Sequence, residues 1–384
     1  MKLPSGVKPL LIVAGLAVVG YAVYANFDRI AYKVDSVLPE GDSAVEQGVI
    51  RQELQVEDLT TIASGLEIPW DIAFLPEGDL LVTERPGRLK RVTKDGAVRE
   101  ITGIEGTRRN GEGGLLGVAV HPKFSENGWV YLYQTITVGS SAKNRVDRYR
   151  LDGDTLVERT TILQNIPGAI YHDGGEVVFG PDGKLYVTTG DATQSALSQD
   201  LKSLSGKILR LNDDGTIPGD NPFGTAVWSY GHRNPQGLAW DGQGRLWATE
   251  HGRSGVLSGL DELNMIEPGK NYGWPVIQGD ETAEGMVAPV VNSGPNETWA
   301  PSGMAFKDGS LYFGGLRGES LYQARIGKSP IEIVSHFEKE YGRIRAVVLG
   351  PDRMLYITTS NRDGRGTPRE GDDKIIRVNP RLFQ

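Results

Sequence analysis

The sequence predicts an all-β fold, a six-bladed β-propeller, on three observations. One short pattern recurs six times: a small apolar run, a Gly/Asp/Pro turn, then a Leu-aromatic run with a β-branched tail. Glycine and proline number 51 and 21 of 384 residues without a collagen-like period, which suits many short strands joined by tight turns. No stretch after residue 53 keeps a helical period for more than a few turns.

The first three copies are "AFLPEGDLLVTE" (73–84), "AVHPKFSENGWVYLYQ" (119–134) and "VFGPDGKLYVTTGD" (178–191). The others are "AWDGQGRLWATEHG" (239–252), "AFKDGSLYFGGLRG" (305–318) and "VLGPDRMLYITTSN" (348–361). With Leu81, Tyr131, Tyr186, Trp247, Tyr312 and Tyr356 taken as equivalents, the spacings are 50, 55, 61, 65 and 44 residues. That interval suits one four-stranded antiparallel sheet per copy. Such a sheet cannot cover both its faces alone, whereas radial stacking buries each against its neighbours. Each turn is a hairpin in which glycine supplies positive φ or Pro-Asp starts a type I turn. A two-sheet sandwich leaves the sixfold recurrence unexplained.

Ahead of the repeats, Lys2 and Lys8 precede "PLLIVAGLAVVGYAVYA" (9–25), an uncharged apolar run. A basic start followed by such a run reads as an export segment, cleaved after Ala25 or kept as an N-terminal membrane anchor. Residues 26–52 read as a polar linker, because "DSVLPEGDSAVEQGVIR" is acidic and lacks aromatics. The propeller domain is expected over 53–384, and the protein is expected to be exported to the periplasm or another extracytoplasmic space.

A formal charge of -8 argues against a nucleic-acid partner, which would demand a basic face. The chain has no cysteine, so disulfides, thiolate nucleophiles and thiolate metal sites are excluded. There is no HExxH helix and no GxSxG elbow. In a propeller, loops at similar places in different blades converge on one mouth of the central channel. The loops rich in His, Arg, Asn and Gly are "GEGGLLGVAVHP" (111–122), "YHDGG" (171–175), "YGHRNPQG" (230–237), "EHGRSG" (250–255), "GLRG" (315–318) and "YGRIRAV" (341–347). They bring Arg233, Arg317, Arg343 and Arg345 toward one mouth. Any single arginine reads rather as a rim residue paired with the acidic surface. As a cluster they point to a polyanionic ligand, because guanidiniums bind carboxylates through paired donors. His121 reads as a turn residue, His232 as a neighbour supporting Arg233, and His336 as part of a strand.

"GHRNPQGLAW", "GEGGLLGVAVHP", "GKILRLNDDGTIPGDNPF" and "DELNMIEPGKNYGWP" together resemble the soluble pyrroloquinoline-quinone (PQQ) dehydrogenases of sugars. This is the glucose/sorbosone dehydrogenase family, and the chain is most similar to its aldose sugar dehydrogenase branch, from about residue 55 to 378. The resemblance implies a propeller that binds PQQ with Ca²⁺ and oxidises aldoses at C1 to lactones, passing electrons to an unidentified acceptor. It implies that His172 is the general base, a task that suits neutral imidazole, and that Asp191 orients it. It implies cofactor contacts from Glu112, His172, Arg233, Asn234, Gln236, Arg317, Arg343 and Arg345, with Arg233 near the reactive carbonyl. The cofactor calcium would take carbonyls of Gly252 and Arg253, and a second calcium the Glu262 carboxylate and Tyr272 carbonyl. Three positions depart from the glucose enzyme: Arg317 replaces a lysine, Glu112 a glutamine, and Tyr171 an acid. These departures bear on substrate choice more than on reaction type. Two other readings stay open at this point: a calcium-dependent propeller lactonase, and a non-catalytic carbohydrate-binding propeller.

Overall fold

The computed structural model describes residues 57–253 and 259–384. The expectations for an export segment and for the linker therefore lie outside the described residues. Among the described residues no helix is long and apolar enough to cross a membrane.

The strands form six four-stranded antiparallel sheets. Blade 1 holds β2 (Pro69–Phe74), β3 (Leu80–Glu84), β4 (Arg88–Val92) and β5 (Val98–Ile101). Blade 2 holds β6 (Leu115–Val120), β7 (Trp129–Val138), β8 (Ser141–Asp152) and β9 (Thr155–Pro167). Blade 3 holds β10 (Val177–Phe179), β11 (Leu185–Thr189), β12 (Lys207–Leu211) and β13 (Val227–Tyr230). Blade 4 holds β14 (Pro235–Trp240), β15 (Leu246–Glu250), β16 (Glu262–Ile266) and β17 (Val291–Asn292). Blade 5 holds β18 (Pro301–Lys307), β19 (Ser310–Gly315), β20 (Ser320–Arg325) and β21 (Glu332–His336). Blade 6 holds β22 (Ile344–Leu349), β23 (Leu355–Thr359) and β24 (Ile375–Val378), completed by β1 (Leu59–Ala63) from the other end of the domain. Pairing of β1 with β24 closes the ring through backbone hydrogen bonds, which removes the open seam that a radial array would otherwise leave.

All six sequence copies fall on the first hairpin of a blade, and in one register. Leu81 pairs with Ala73, Tyr131 with Ala119, Tyr186 with Val178, Trp247 with Ala239, Tyr312 with Ala305 and Tyr356 with Val348. A large side chain thus sits across from a small one each time, as close packing of neighbouring blades requires. Six apolar clusters fill the six interfaces between blades. Leu81 packs toward blade 2 and the next residue, Val82, toward blade 6, following the period-2 alternation of a strand. Because both faces are buried, these strands read as continuous apolar runs rather than as an alternating pattern.

The first strand of every blade starts at the same mouth of the channel, and the second strand returns to it. Loops entering a first strand or leaving a second strand therefore meet there. Bulges interrupt the innermost pairings at Pro69/Asp71, Pro235/Gly237 and Ile344/Val347. They bracket Trp70, Gln236 and Arg345, and a bulge re-aims the residue it brackets.

Candidate active site

A cavity of about 410 Å³ opens at this mouth, and its walls include Glu112, His172, Arg233, Gly252, Arg253, Arg317, Arg343 and Arg365. That volume is ordinary for a small-molecule site. The loops entering blades 2, 3, 4 and 6 supply Glu112, His172, Arg233 and Arg343, and loops leaving the second strands of blades 4, 5 and 6 supply the rest.

His172 sits where the chain turns abruptly into β10. Its φ is 62°, and the glycines two and three residues on follow at 66° and 118°. A Cβ on Gly174 would lie 2.6 Å from the Thr188 carbonyl, and one on Gly175 2.7 Å from Leu116. Only glycine allows this loop to lie against β11 and blade 2. The return strand β11 then delivers Asp191, whose Oδ1 lies 2.8 Å from His172 Nδ1. Asp191 also accepts from the Thr193 N–H (2.8 Å) and the Trp274 indole N–H (2.9 Å). Burial works to raise the Asp191 pKa, but these bonds and the nearby imidazole outweigh it and hold the carboxylate below its usual value. An ionised acceptor at Nδ1 fixes the proton on that nitrogen and leaves Nε2 as the basic atom. The hairpin between residues 176 and 191 thus brings His172 and Asp191 to the same edge.

The rest of the cavity is strongly cationic. Five guanidiniums line it (Arg233, Arg253, Arg317, Arg343 and Arg365) against two carboxylates, Glu112 and Asp261, an excess of three positive charges. Arg233 stacks over Trp274 at 5.3 Å, its backbone N–H bonds to Glu250, and its carbonyl accepts the Asp191 N–H at 2.8 Å. Arg343 grips Asp363 through Nε (2.9 Å) and Nη2 (2.8 Å). Behind that wall, Arg345 donates to Gln236 Oε1 at 3.1 Å and lies over Trp70 at 5.4 Å. Burial pushes the Arg345 guanidinium down to about 9. Arg85, buried at 4% exposure, reaches the Asp363 carbonyl from blade 1. Among the described residues the buried Nε–H groups of Arg85, Arg253 and Arg345 find no hydrogen-bond partner. Buried charges with unused donors are costly, and a polyanion in the cavity would offset that cost.

Asn234 accepts the Gly174 N–H at 3.0 Å and so braces the His172 loop. Asn234, Gln236 and Arg345 stand behind the lining rather than in it. Glu262 and Tyr272 line, with Glu250, a small adjoining cavity that shares Arg233, His251 and Gly252 with the main one. His232 is fully buried, bonded to Glu250 (2.8 Å) and Ser229 (2.9 Å), and the same Glu250 carboxylate holds the Arg233 N–H. Among the described residues no cluster of three or more His, Asp or Glu side chains could hold a metal ion.

Sequence reasoning missed Arg85, Trp274, Asp363 and Arg365. The motif "SNRDGRG" (360–366) leaves the second strand of blade 6, the place that Asp191 and His251 hold in blades 3 and 4. Applying the positional rule to every copy would have found Asp363 and Arg365. The same rule would have found Arg85, which follows the second strand of blade 1, whereas Trp274 carries no such signal.

A closed six-bladed propeller with a cationic mouth, edged by a carboxylate-oriented histidine, defines a protein whose central site combines acid–base chemistry with the binding of a small anion. The family model for glucose/sorbosone dehydrogenase matches residues 66–376, and the chain belongs to that family. It is 31% identical to the aldose sugar dehydrogenase YliI of Escherichia coli, over 82% of this chain and 91% of that protein. The PQQ-bound aldose sugar dehydrogenase of Streptomyces coelicolor superposes with a TM-score of 0.76 at 43% identity, covering 83% of this chain and 96% of that one. Quinoprotein glucose dehydrogenase B of Acinetobacter calcoaceticus is 32% identical over 63% of this chain and 57% of its own length. The protein is an oxidoreductase, a sugar dehydrogenase of the PQQ-type propeller class.

Proposed function

We propose that this protein binds PQQ and Ca²⁺ and oxidises aldoses at C1 to their lactones, in an extracytoplasmic compartment. The observation that carries this reading is the excess of three guanidiniums over carboxylates in a cavity edged by the His172–Asp191 pair. The three carboxylates of the cofactor would offset that excess of guanidiniums. The same balance favours a quinoprotein over a lactonase, whose central metal would call for a surplus of carboxylates.

Arg233, Arg317 and Arg343 would hold the anionic groups of the cofactor, with Arg345 and Arg85 adding positive potential from behind the wall. Calcium prefers oxygen ligands, main-chain carbonyls among them. Gly252 and Arg253 line the cavity and would supply theirs. At Gly252 a Cβ would meet the Leu260 carbonyl at 2.2 Å, so a bare backbone is required there. A second calcium would take the Glu262 carboxylate and the Tyr272 carbonyl. Burial, and then repulsion from Glu250, push the Glu262 carboxyl up to about 8, a strain that a cation would relieve.

When bound, the quinone supplies a two-electron acceptor for hydride. The protein's own part is proton transfer and orientation. His172 Nε2 accepts the C1 hydroxyl proton, and the resulting imidazolium is stabilised by the ionised Asp191 at Nδ1. Trp274 and the Thr193 N–H keep Asp191 fixed so that the ring cannot rotate away.

The test is reconstitution of the purified protein with PQQ and Ca²⁺, followed by dye reduction with a panel of aldoses. His172→Ala should lower kcat by roughly 10²- to 10⁴-fold while the absorbance of bound cofactor is retained. Near-normal turnover in that variant would overturn the assignment of the base.

A further inference from the structure

We propose that Arg365 is a positioning residue for the base: it holds Glu112, and Glu112 holds the backbone of His172. The inference rests on the dehydrogenase reading for its kinetic readout alone.

Three loops from distant parts of the chain meet at this point. Arg365 Nη1 donates to Glu112 Oε1 at 2.7 Å, across 253 residues of sequence. The other oxygen, Glu112 Oε2, accepts the His172 N–H at 3.0 Å. The Glu112 N–H donates to the Ile170 carbonyl at 3.0 Å, and Asn110 Nδ2 to the Ala169 carbonyl at 3.2 Å. The loops entering blades 2 and 3 are thereby laced together, with the carboxylate of Glu112 as the central knot. Arg365 also lies over the Tyr171 ring at 5.6 Å, so it restrains the residue before the base as well. Arg365 is tied down in its turn, its backbone N–H donating to Asp363 Oδ1 at 2.8 Å. Asp363 Oδ2 is held by Arg343. One continuous chain therefore runs from the cationic wall through Asp363, Arg365 and Glu112 to His172.

The tie has a physical purpose. A non-glycine residue at φ 62° is held against a preference of roughly 1–2 kcal/mol, and the two glycines that follow offer little resistance to relaxation. Asp191 fixes the imidazole ring only if the backbone beneath it stays in place. Glu112, with one oxygen on the His172 N–H, supplies that fixed point, and Arg365 sets the orientation of the Glu112 carboxylate. A displacement of about 1 Å can cost on the order of 10²-fold in rate.

The experiment has two arms. In the reconstituted enzyme, Arg365→Ala should lower kcat by about 10- to 100-fold and change KM by less than about threefold. Arg365→Lys should recover most of kcat, because an ammonium can still hold Glu112. Glu112→Ala should cost a similar factor, and the double variant little more than either alone, as members of one chain behave. In the cofactor-free protein, hydrogen–deuterium exchange over residues 169–175 should quicken in Arg365→Ala and return toward the parent rate in Arg365→Lys. Unchanged kcat and unchanged exchange in Arg365→Ala would overturn the proposal, as would fully additive losses in the double variant. If Arg365→Ala does not fold, Arg365→Gln takes its place, and equal kcat for Arg, Lys and Gln at this position refutes the role. A parent enzyme that oxidises no aldose would sink the dehydrogenase reading, and the exchange arm would still decide this one.

Discussion

Replacing Arg345 by methionine separates the demands of folding from those of ligand binding. Arg345 is 7% exposed, donates to Gln236 at 3.1 Å, and leaves its Nε–H without a partner. Its basicity falls from 12.5 to about 9, chiefly through burial, with the neighbouring Arg85 and Arg343 adding to the effect and Asp363 opposing it. At pH 7 the group is charged in both the folded and unfolded states, so the whole penalty acts on the fold. Each tenfold loss of basicity corresponds to about 1.4 kcal/mol, so holding this charge costs roughly 5 kcal/mol. Methionine keeps an unbranched stem to pack on Trp70 and removes the charge. Against this, Gln236 loses a partner, at about 1 kcal/mol, and Asp363 loses one compensating cation. Buried charges exchanged for apolar groups of similar size typically gain 1–4 kcal/mol, and about 2 kcal/mol is expected here. A domain of this size has an unfolding entropy near 0.7 kcal/mol per degree, so the cofactor-free Tm should rise by about 3 °C. PQQ affinity, read from tryptophan fluorescence, should fall by roughly 5- to 20-fold as one positive charge behind the wall is lost. A fall of Tm by several degrees in the cofactor-free variant, or unchanged affinity, would refute the claim that this guanidinium is kept for a ligand.

Two further outcomes follow from the same geometry. Asp191→Asn removes the charge that fixes the His172 tautomer and stabilises the imidazolium, so kcat should drop by about 10²- to 10⁴-fold with cofactor binding retained; a loss below threefold would show that the carboxylate is dispensable. In the lower half of the channel, Asp71 and Glu176 line one cavity. Burial raises Asp71 to about 7, and burial together with repulsion from Asp71 raises Glu176 well above its usual range. A carboxyl whose pKa is higher folded than unfolded weakens the fold increasingly as pH climbs from the unfolded value through the folded one. Glu176→Gln should therefore raise Tm more at pH 8 than at pH 5; equal Tm gains at both pH values would contradict the pairing.

The sequence by itself determined the architecture, and it did so because the packing problem repeats. Every blade interface needs a bulky side chain opposite a small one, so Tyr131, Tyr186, Trp247, Tyr312 and Tyr356 return in step and can be counted. The same periodicity placed His172, Arg233 and Arg343 at one mouth, since their loops occupy equivalent positions in their blades. Other features were decided only by the tertiary structure. No local pattern foretells that Trp274 from blade 4 would hold Asp191 from blade 3, or that Arg365 would reach Glu112 across most of the chain. Nor does the spacing of Arg343 and Arg345 reveal that one faces the cavity and the other stands behind it. A bulge between Ile344 and Val347 breaks the alternation by which that would be read. Contacts within a blade repeat from copy to copy and leave a period in the sequence, whereas contacts between loops of different blades join residues with no common period and exist only once the blades are arranged around the channel.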